Sequence, residues 1–214
     1  MHPLIALPRS LALALLCLFA YTVVAQPYPI RPIRIVVPGT AGSANDFTAR
    51  AIAQKLSEAW GQQVVVDNRA GANGIIGMEM VAKAKPDGYT LLQGFTSALT
   101  INPYVYKSLP YDTFRDYTAI TQTATNTMVL VANPTLPVRS AKDLVALGKS
   151  RPGELVYASA GIGNLTHLAG ELLRVEAGLK VLHVPYKGES PAFTDLVGGQ
   201  TAYMFSAALG VAAH

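Results

Sequence analysis

Cysteine is nearly missing: the 214 residues contain one, Cys17. It sits in an apolar run, LALALLCLFA, that follows a single arginine and precedes the small-residue stretch VVA before Gln26. This pattern predicts a secretory signal peptide over 1–25, cleaved near Ala25/Gln26. The apolar run is shorter than the ~20 residues a membrane span needs. Leu16 stands where a lipid-attachment site would want a small residue, so the expected product is a soluble exported protein. A chain beginning at Gln26 has no cysteine, which excludes internal disulfides and thiolate metal sites even in a compartment that permits disulfides.

Other absences narrow the function further. The formal net charge is +4, but no Lys/Arg cluster interleaves with aromatics, so nucleic acid is not an expected partner and anionic small molecules are. No pair of His, Asp or Glu residues has metal-ligand spacing on one element, and no metal is expected. Neither glycine-rich loop ends in the Gly-Lys-Ser/Thr of a P-loop, and no G-x-S-x-G string marks a serine nucleophile elbow. GIGNLT approaches a dinucleotide fingerprint, but Thr166 replaces the third glycine and no acidic residue follows about twenty positions on. No cofactor is therefore expected. Ser159, His167 and Asp195 supply the residue types of a hydrolytic triad. Their structural reading is that Ser159 ends a strand, His167 lies in the first turn of a helix and Asp195 sits on a polar helix face. His183, between Leu182 and Val184, reads as a packed or edge histidine, and Lys187 is either a ligand contact or a solvated loop lysine.

What is present is an alternation of β-branched runs with longer runs at helical spacing. Strands are expected at 33–37, 63–68 and 89–95, with helices at 43–60 and 74–85 and a PDG turn at 86–88. The β-α-β-α-β order implies a parallel sheet covered by helices. The segment INPYVYKSLPYDTFRDY reads as a short helix and a loop. AITQTAT and MVLVAN then read as consecutive strands, which breaks the alternation and places a crossing into a second lobe near residue 125. The rhythm resumes with helices at 140–150, from Asn164 and at 190–197, and strands at 154–159, 180–186 and 201–207. No closing helix is read before His214.

Two segments share their punctuation. In PGTAGSANDF, Gly42 precedes Ser43, with Asp46 three residues on; in SAGIGNLTHL, Gly163 precedes Asn164, with His167 at the same offset. Ser and Asn are favoured N-caps, and Ser43 with Asp46 forms a capping-box variant. A helix start of this kind presents backbone N–H groups and a positive dipole end to an anion. If each loop follows the first strand of its own lobe, both starts face one cleft at the carboxyl ends of the strands. Asp46 reads first as an acceptor that shapes the loop, with ligand contact as the alternative.

With these residues placed, the chain resembles the Bug family of periplasmic receptors, the solute-binding components of tripartite tricarboxylate transporters. The resemblance rests on RIVVPGTAGSANDFTAR, GQQVVVDNRAGANGIIG, AKPDGYTLL, YASAGIGNLTHLAGELL and VPYKGESPAFTDLVGGQ, in order and at matching spacing. It implies an α/β, two-lobed, type II Venus-flytrap fold with lobes over 26–125 and 126–214, no catalytic activity, and capture of a small organic carboxylate. It also implies that two strand-to-helix loops hold one carboxylate through backbone N–H groups and ordered waters. Carried over, the first is 38–46, with Thr40, Ala41, Gly42, Ser43 and Asp46. The second is 159–167, with Ser159, Ala160, Gly161, Gly163, Asn164 and His167, while Ser97, within 95–103, reads the rest of the ligand. Gly39 stands where an aromatic commonly follows the proline, and Ser43 replaces the second of a common glycine pair.

The implied partners are membrane transporter subunits or, with the same fold used as a sensor, a two-component kinase. An exported hydrolase is the remaining alternative. Family members extend past the equivalent of His214. The chain as it stands is therefore expected to be a truncated receptor with an incomplete second lobe that folds poorly, and the complete receptor is expected to be a monomer.

Overall fold

A computed structural model describes residues 27–212, so the leader and its cleavage point lie outside the described residues. The first sheet is built on β1 (Ile33–Val37), whose sequence IRIVV suits a strand buried on both faces. It pairs in parallel with β2 (Val64–Asn68) on one side and β3 (Thr90–Leu92) on the other, with Ile35 opposite Val66 and Leu91. Helix α1 (Ala44–Trp60) crosses between β1 and β2. Its buried residues Ala49 and Ala53 are small enough to let the helix lie close on Ile33, Ile35, Val37 and Val64. Ser43 caps its start, accepting the Asp46 N–H, and Gly61 ends it in the left-handed region at φ 62°.

The expected helix at 74–85 is shorter. Ala72–Gly74 form a 3₁₀ turn in which Ala72 and Asn73 take positive φ, and α2 spans only Ile75–Ala82. Strand β3 also stops early, at Leu92. The segment 95–103 is largely helical: a π-helical turn over Ser97–Ile101 runs into α3 (Asn102–Val105), the short helix expected in INPYVYKSLPYDTFRDY. The buried Asn102 fixes this corner, donating to Asn73 O and to Tyr111 Oη, while Tyr111 donates to Ala98 O.

AITQTAT does not form a strand. Residues 118–127 are all exposed and carry no regular element, because no described neighbouring strand supplies a ladder to pair with. Its recorded tether to the first sheet is the Gln93 amide donating to Thr123 Oγ1 at 2.8 Å.

The second sheet has the order β4 (Met128–Ala132), β7 (Tyr203–Ala207), β5 (Val156–Ser159), β6 (Leu182–Pro185). Helices α4 (Ala141–Ser150), α5 (Leu165–Glu176) and α6 (Glu189–Val197) connect its strands, and α7 (Ala208–Val211) follows β7. One strand of this sheet departs from parallel: β4 runs antiparallel to β7, with Leu130 opposite Phe205. Its hydrophobic run cannot reveal direction; the pairing partner decides it. Tyr157 and Tyr203 are fully buried and stack at 5.6 Å, with Leu144 and Leu155 completing that half of the core. Met204, Phe193 and Leu196 fill the other half beneath α6. From Arg31 onward the chain is a single compact unit.

Candidate functional site

Both glycine loops leave the carboxyl ends of parallel strands, the first from β1 into α1 and the second from β5 into α5. In the first, Gly42 at φ 78° turns the chain so that its N–H donates to Asp46 Oδ2 at 2.9 Å. Arg50 Nε donates to the same oxygen at 3.0 Å. Asp46 is buried, and burial alone would raise its carboxyl pKa; Arg50, the Gly42 N–H and the Asn68 amide outweigh that and hold it below the usual range. The shaping role read for Asp46 from sequence is the one its contacts describe.

In the second loop, Gly161 and Gly163 take φ 136° and 75°. Only glycine adopts these values cheaply. The amides here are engaged within the chain. Ala160 N–H donates to Thr166 Oγ1 (2.9 Å), Gly161 N–H to Ser159 Oγ (3.2 Å), Gly163 N–H to His167 Nδ1 (3.2 Å) and Thr166 N–H to Asn164 Oδ1 (3.0 Å). Because His167 Nδ1 accepts, the neutral ring carries its proton on Nε2.

The triad types do not assemble. Ser159 Oγ lies 2.7 Å from His183 Nε2, not against His167, and Asp195 accepts the Tyr186 hydroxyl at 2.6 Å. His183 is instead the centre of a ring column, stacked on Tyr157 at 4.6 Å and on His167 at 4.3 Å. Burial, with His167 alongside, pushes its pKa down to about 4. Sequence reasoning read it as a packed or edge histidine but missed its bond to Ser159, which follows from the register pairing Ser159 with Pro185 and Tyr157 with His183 across β5 and the edge strand β6.

Each loop also touches the other sheet's elements. Ser190, in the first turn of α6, donates through Oγ to Ala41 O at 2.6 Å and shares a hydrogen bond with Thr40 Oγ1 at 3.2 Å. On the other side, Ser97 Oγ accepts the Leu165 N–H at 2.9 Å, and Asn164 Nδ2 donates to Asn73 Oδ1 at 2.8 Å. Thr40, Ala41 and Gly42 thus meet α6, while Gly163, Asn164 and the α5 start meet Asn73, Ser97 and Val105. Asn73, Ser190 and Gly188 belong to this seam and were not singled out from sequence. Asn73 carried a readable signal, the Gly-Ala-Asn-Gly turn, whereas Ser190 carried none. Elsewhere, a concavity of about 200 Å³ lined by Asn133, Leu155 and Thr201 opens at the amino ends of β5 and β7, away from both loops.

The model of the tripartite tricarboxylate transporter family receptor matches residues 48–214. The chain belongs to that family. A UPF0065 protein from the tcbD-tcbE intergenic region of Pseudomonas sp. strain P51 is 46% identical over 177 residues, 83% of this chain and 52% of that protein. Rpa4515 of R. palustris, solved with adipate, is 37% identical with a TM-score of 0.82, covering 85% of this chain and 60% of that one. MatC from Rhodopseudomonas palustris, solved with malate, is 28% identical with a TM-score of 0.78, covering 86% and 63%. The receptor chain therefore has the α/β fold of periplasmic solute-binding proteins, and it spans about half the length of the Pseudomonas relative.

Proposed function

We propose that this protein is a periplasmic receptor that captures a small organic carboxylate between the two glycine loops and delivers it to a tripartite tricarboxylate-type transporter. The observation that carries the reading is the convergence of two loop-to-helix starts on one seam, each following a parallel strand and each touching the opposite sheet. The two sheets correspond to the two lobes, with residues 118–127 as the crossing. Binding without catalysis fits the scattering of the triad residue types: Ser159 is fully buried, its histidine partner is the centre of a ring column, and the Asp195 carboxylate accepts the Tyr186 hydroxyl. Export through the N-terminal leader brings the chain to the compartment where such a receptor works.

Affinity of this kind needs several weak terms. A helix start contributes about 0.3–1 kcal/mol to an exposed anion and up to ~2 when partly buried. Charge-assisted hydrogen bonds add roughly 1.5–3 kcal/mol each. The sum approaches the ~8 kcal/mol of micromolar binding once a few amides are recruited, before ordering costs. Gly42 and Gly161 hold backbone that no other residue adopts without strain, and a Cβ at Gly161 would meet Tyr186 O at 3.3 Å. Calorimetry with adipate and malate is the test. Gly42→Val and Gly161→Val should each abolish binding, whereas His167→Gln, whose amide oxygen can still accept the Gly163 N–H, should lose less. Unchanged affinity in both glycine variants would rule out a shared site.

A further inference from the structure

We propose that Asn164 does two things, capping α5 and fastening the second glycine loop to the first sheet's elements through Asn73, and that ligand affinity depends on the second. Asn73 and Asn164 are then positioning residues of the carboxylate site, an assignment that rests on the receptor reading.

Three asparagine side chains form one hydrogen-bonded chain across the seam, and the backbone at its two ends fixes which way each amide faces. At one end the buried Asn102 donates through Nδ2 to Asn73 O at 3.1 Å and to Tyr111 Oη at 3.2 Å. A carbonyl only accepts, so Asn102 keeps Oδ1 for the Asn73 side chain, which donates to it through Nδ2 at 2.7 Å. Asn73 is left with Oδ1 as an acceptor, and Asn164 Nδ2 donates to it at 2.8 Å. At the other end Asn164 Oδ1 accepts the Thr166 N–H at 3.0 Å, and a backbone N–H only donates. All three amides therefore agree in direction. Asn73 holds its place in the left-handed region at φ 51°, which asparagine tolerates better than most residues with a side chain.

Capping accounts for the oxygen of the Asn164 side chain but not for its nitrogen. Serine caps a helix equally well and has no second group to send across the seam. Beside this bond the Leu165 N–H, the first amide of α5, donates to Ser97 Oγ at 2.9 Å. The loop also closes on itself, since Thr166 Oγ1 donates to Asn164 Oδ1 at 3.1 Å and accepts the Ala160 N–H at 2.9 Å. With these amides engaged, the first turn of α5 joins the two sides of the cleft. A ligand held between the loops binds the joined state, and the cross-seam bonds favour that same state, so losing them weakens the ligand.

Two variants separate fastening from capping, with adipate and malate as probes in calorimetric titration of the purified protein. Asn164→Ser keeps the cap, so its denaturant midpoint should hold. Its dissociation constant for whichever acid the wild type binds should nevertheless rise about fivefold, the loss of one cross-seam hydrogen bond. Asn73→Gly keeps the left-handed backbone and should weaken binding similarly, and the double variant should bind no worse than the weaker single one, because both remove the same bond. The Leu165 N–H reports the seam without ligand: in Asn73→Gly its hydrogen exchange should quicken about fivefold while amides within β1 and β5 keep their rates. Unchanged affinity in Asn164→Ser, losses that multiply in the double variant, or unchanged Leu165 exchange would each overturn the inference and leave the receptor reading standing. A wild type that binds neither acid would count against the receptor reading and remove the claim on affinity, and the exchange rate alone then decides whether Asn73 fastens the loop.

Discussion

His183 holds its place through three contacts, the bond to Ser159 Oγ and the faces of Tyr157 and His167, and its burial, with His167 alongside, favours the neutral ring. With its pKa lowered from 6.5 to about 4, the folded protein declines a proton that the unfolded chain accepts. Stability from this residue is therefore complete above about pH 6.5, is lost progressively as pH falls toward 4, and levels off below that. After discounting for solvent screening the loss is on the order of 1–2 kcal/mol. Carboxylates such as Asp46 contribute in the same acid range, so the variant separates the effects. Denaturant midpoints at pH 7 and 4.5 should fall less for His183→Gln than for the wild type, and equal falls would remove the histidine as the source.

Helix α5 shows how one glycine can tie an element to its sheet. Gly170 faces Tyr157, and a Cβ added there would lie 2.3 Å from Cε2 and 2.8 Å from Cδ2 of the ring. Tyr157 has no room to retreat, since it stacks between His183 and Tyr203 and donates its hydroxyl to Glu171 at 2.6 Å. Burial and that bond hold the Tyr157 hydroxyl protonated well above its ordinary range. In an exposed helix, Gly→Ala stabilises by up to about 1 kcal/mol. Here overpacking should outweigh it, and Gly170→Ala should destabilise by roughly 1–3 kcal/mol in chemical denaturation, with a changed near-ultraviolet tyrosine signal. A more stable variant would mean that α5 can shift away from the sheet.

At the scale of the whole molecule, helix α5 leaves an apolar stripe exposed. Leu168, Leu172 and Val175 follow each other at helical spacing and are 39%, 62% and 62% exposed, and Leu182 on the edge strand β6 is 59% exposed. An exposed apolar helix face and an exposed sheet edge each promote association. The chain described here should therefore self-associate with rising concentration in analytical ultracentrifugation, and Leu172→Glu combined with Val175→Glu should shift it toward monomer. A wild-type chain that stays monodisperse at high concentration would show that this face is tolerated in water.

The α/β alternation was legible in the sequence because it rests on local chemistry. IRIVV is short and rich in β-branched residues and so favours a buried strand, Ser43, Ser140 and Asn164 cap helices by accepting nearby amides, and Gly61 ends α1 for lack of a Cβ. The glycines at 42, 161 and 163 were readable for the same reason, since positive φ is a property of the residue itself. AITQTAT has the local pattern of a strand, but a strand also needs a partner with free backbone groups, and that is settled far away in the chain. The direction of β4 depends on β7, some seventy residues later. Which histidine reaches Ser159 depends on a register between β5 and β6, and the meeting of Ser190 with Ala41 depends on a seam between two sheets. Local conformational preference is written residue by residue. Pairing, direction and the meeting of side chains from distant elements are decided only when the tertiary structure brings their backbones within hydrogen-bonding distance.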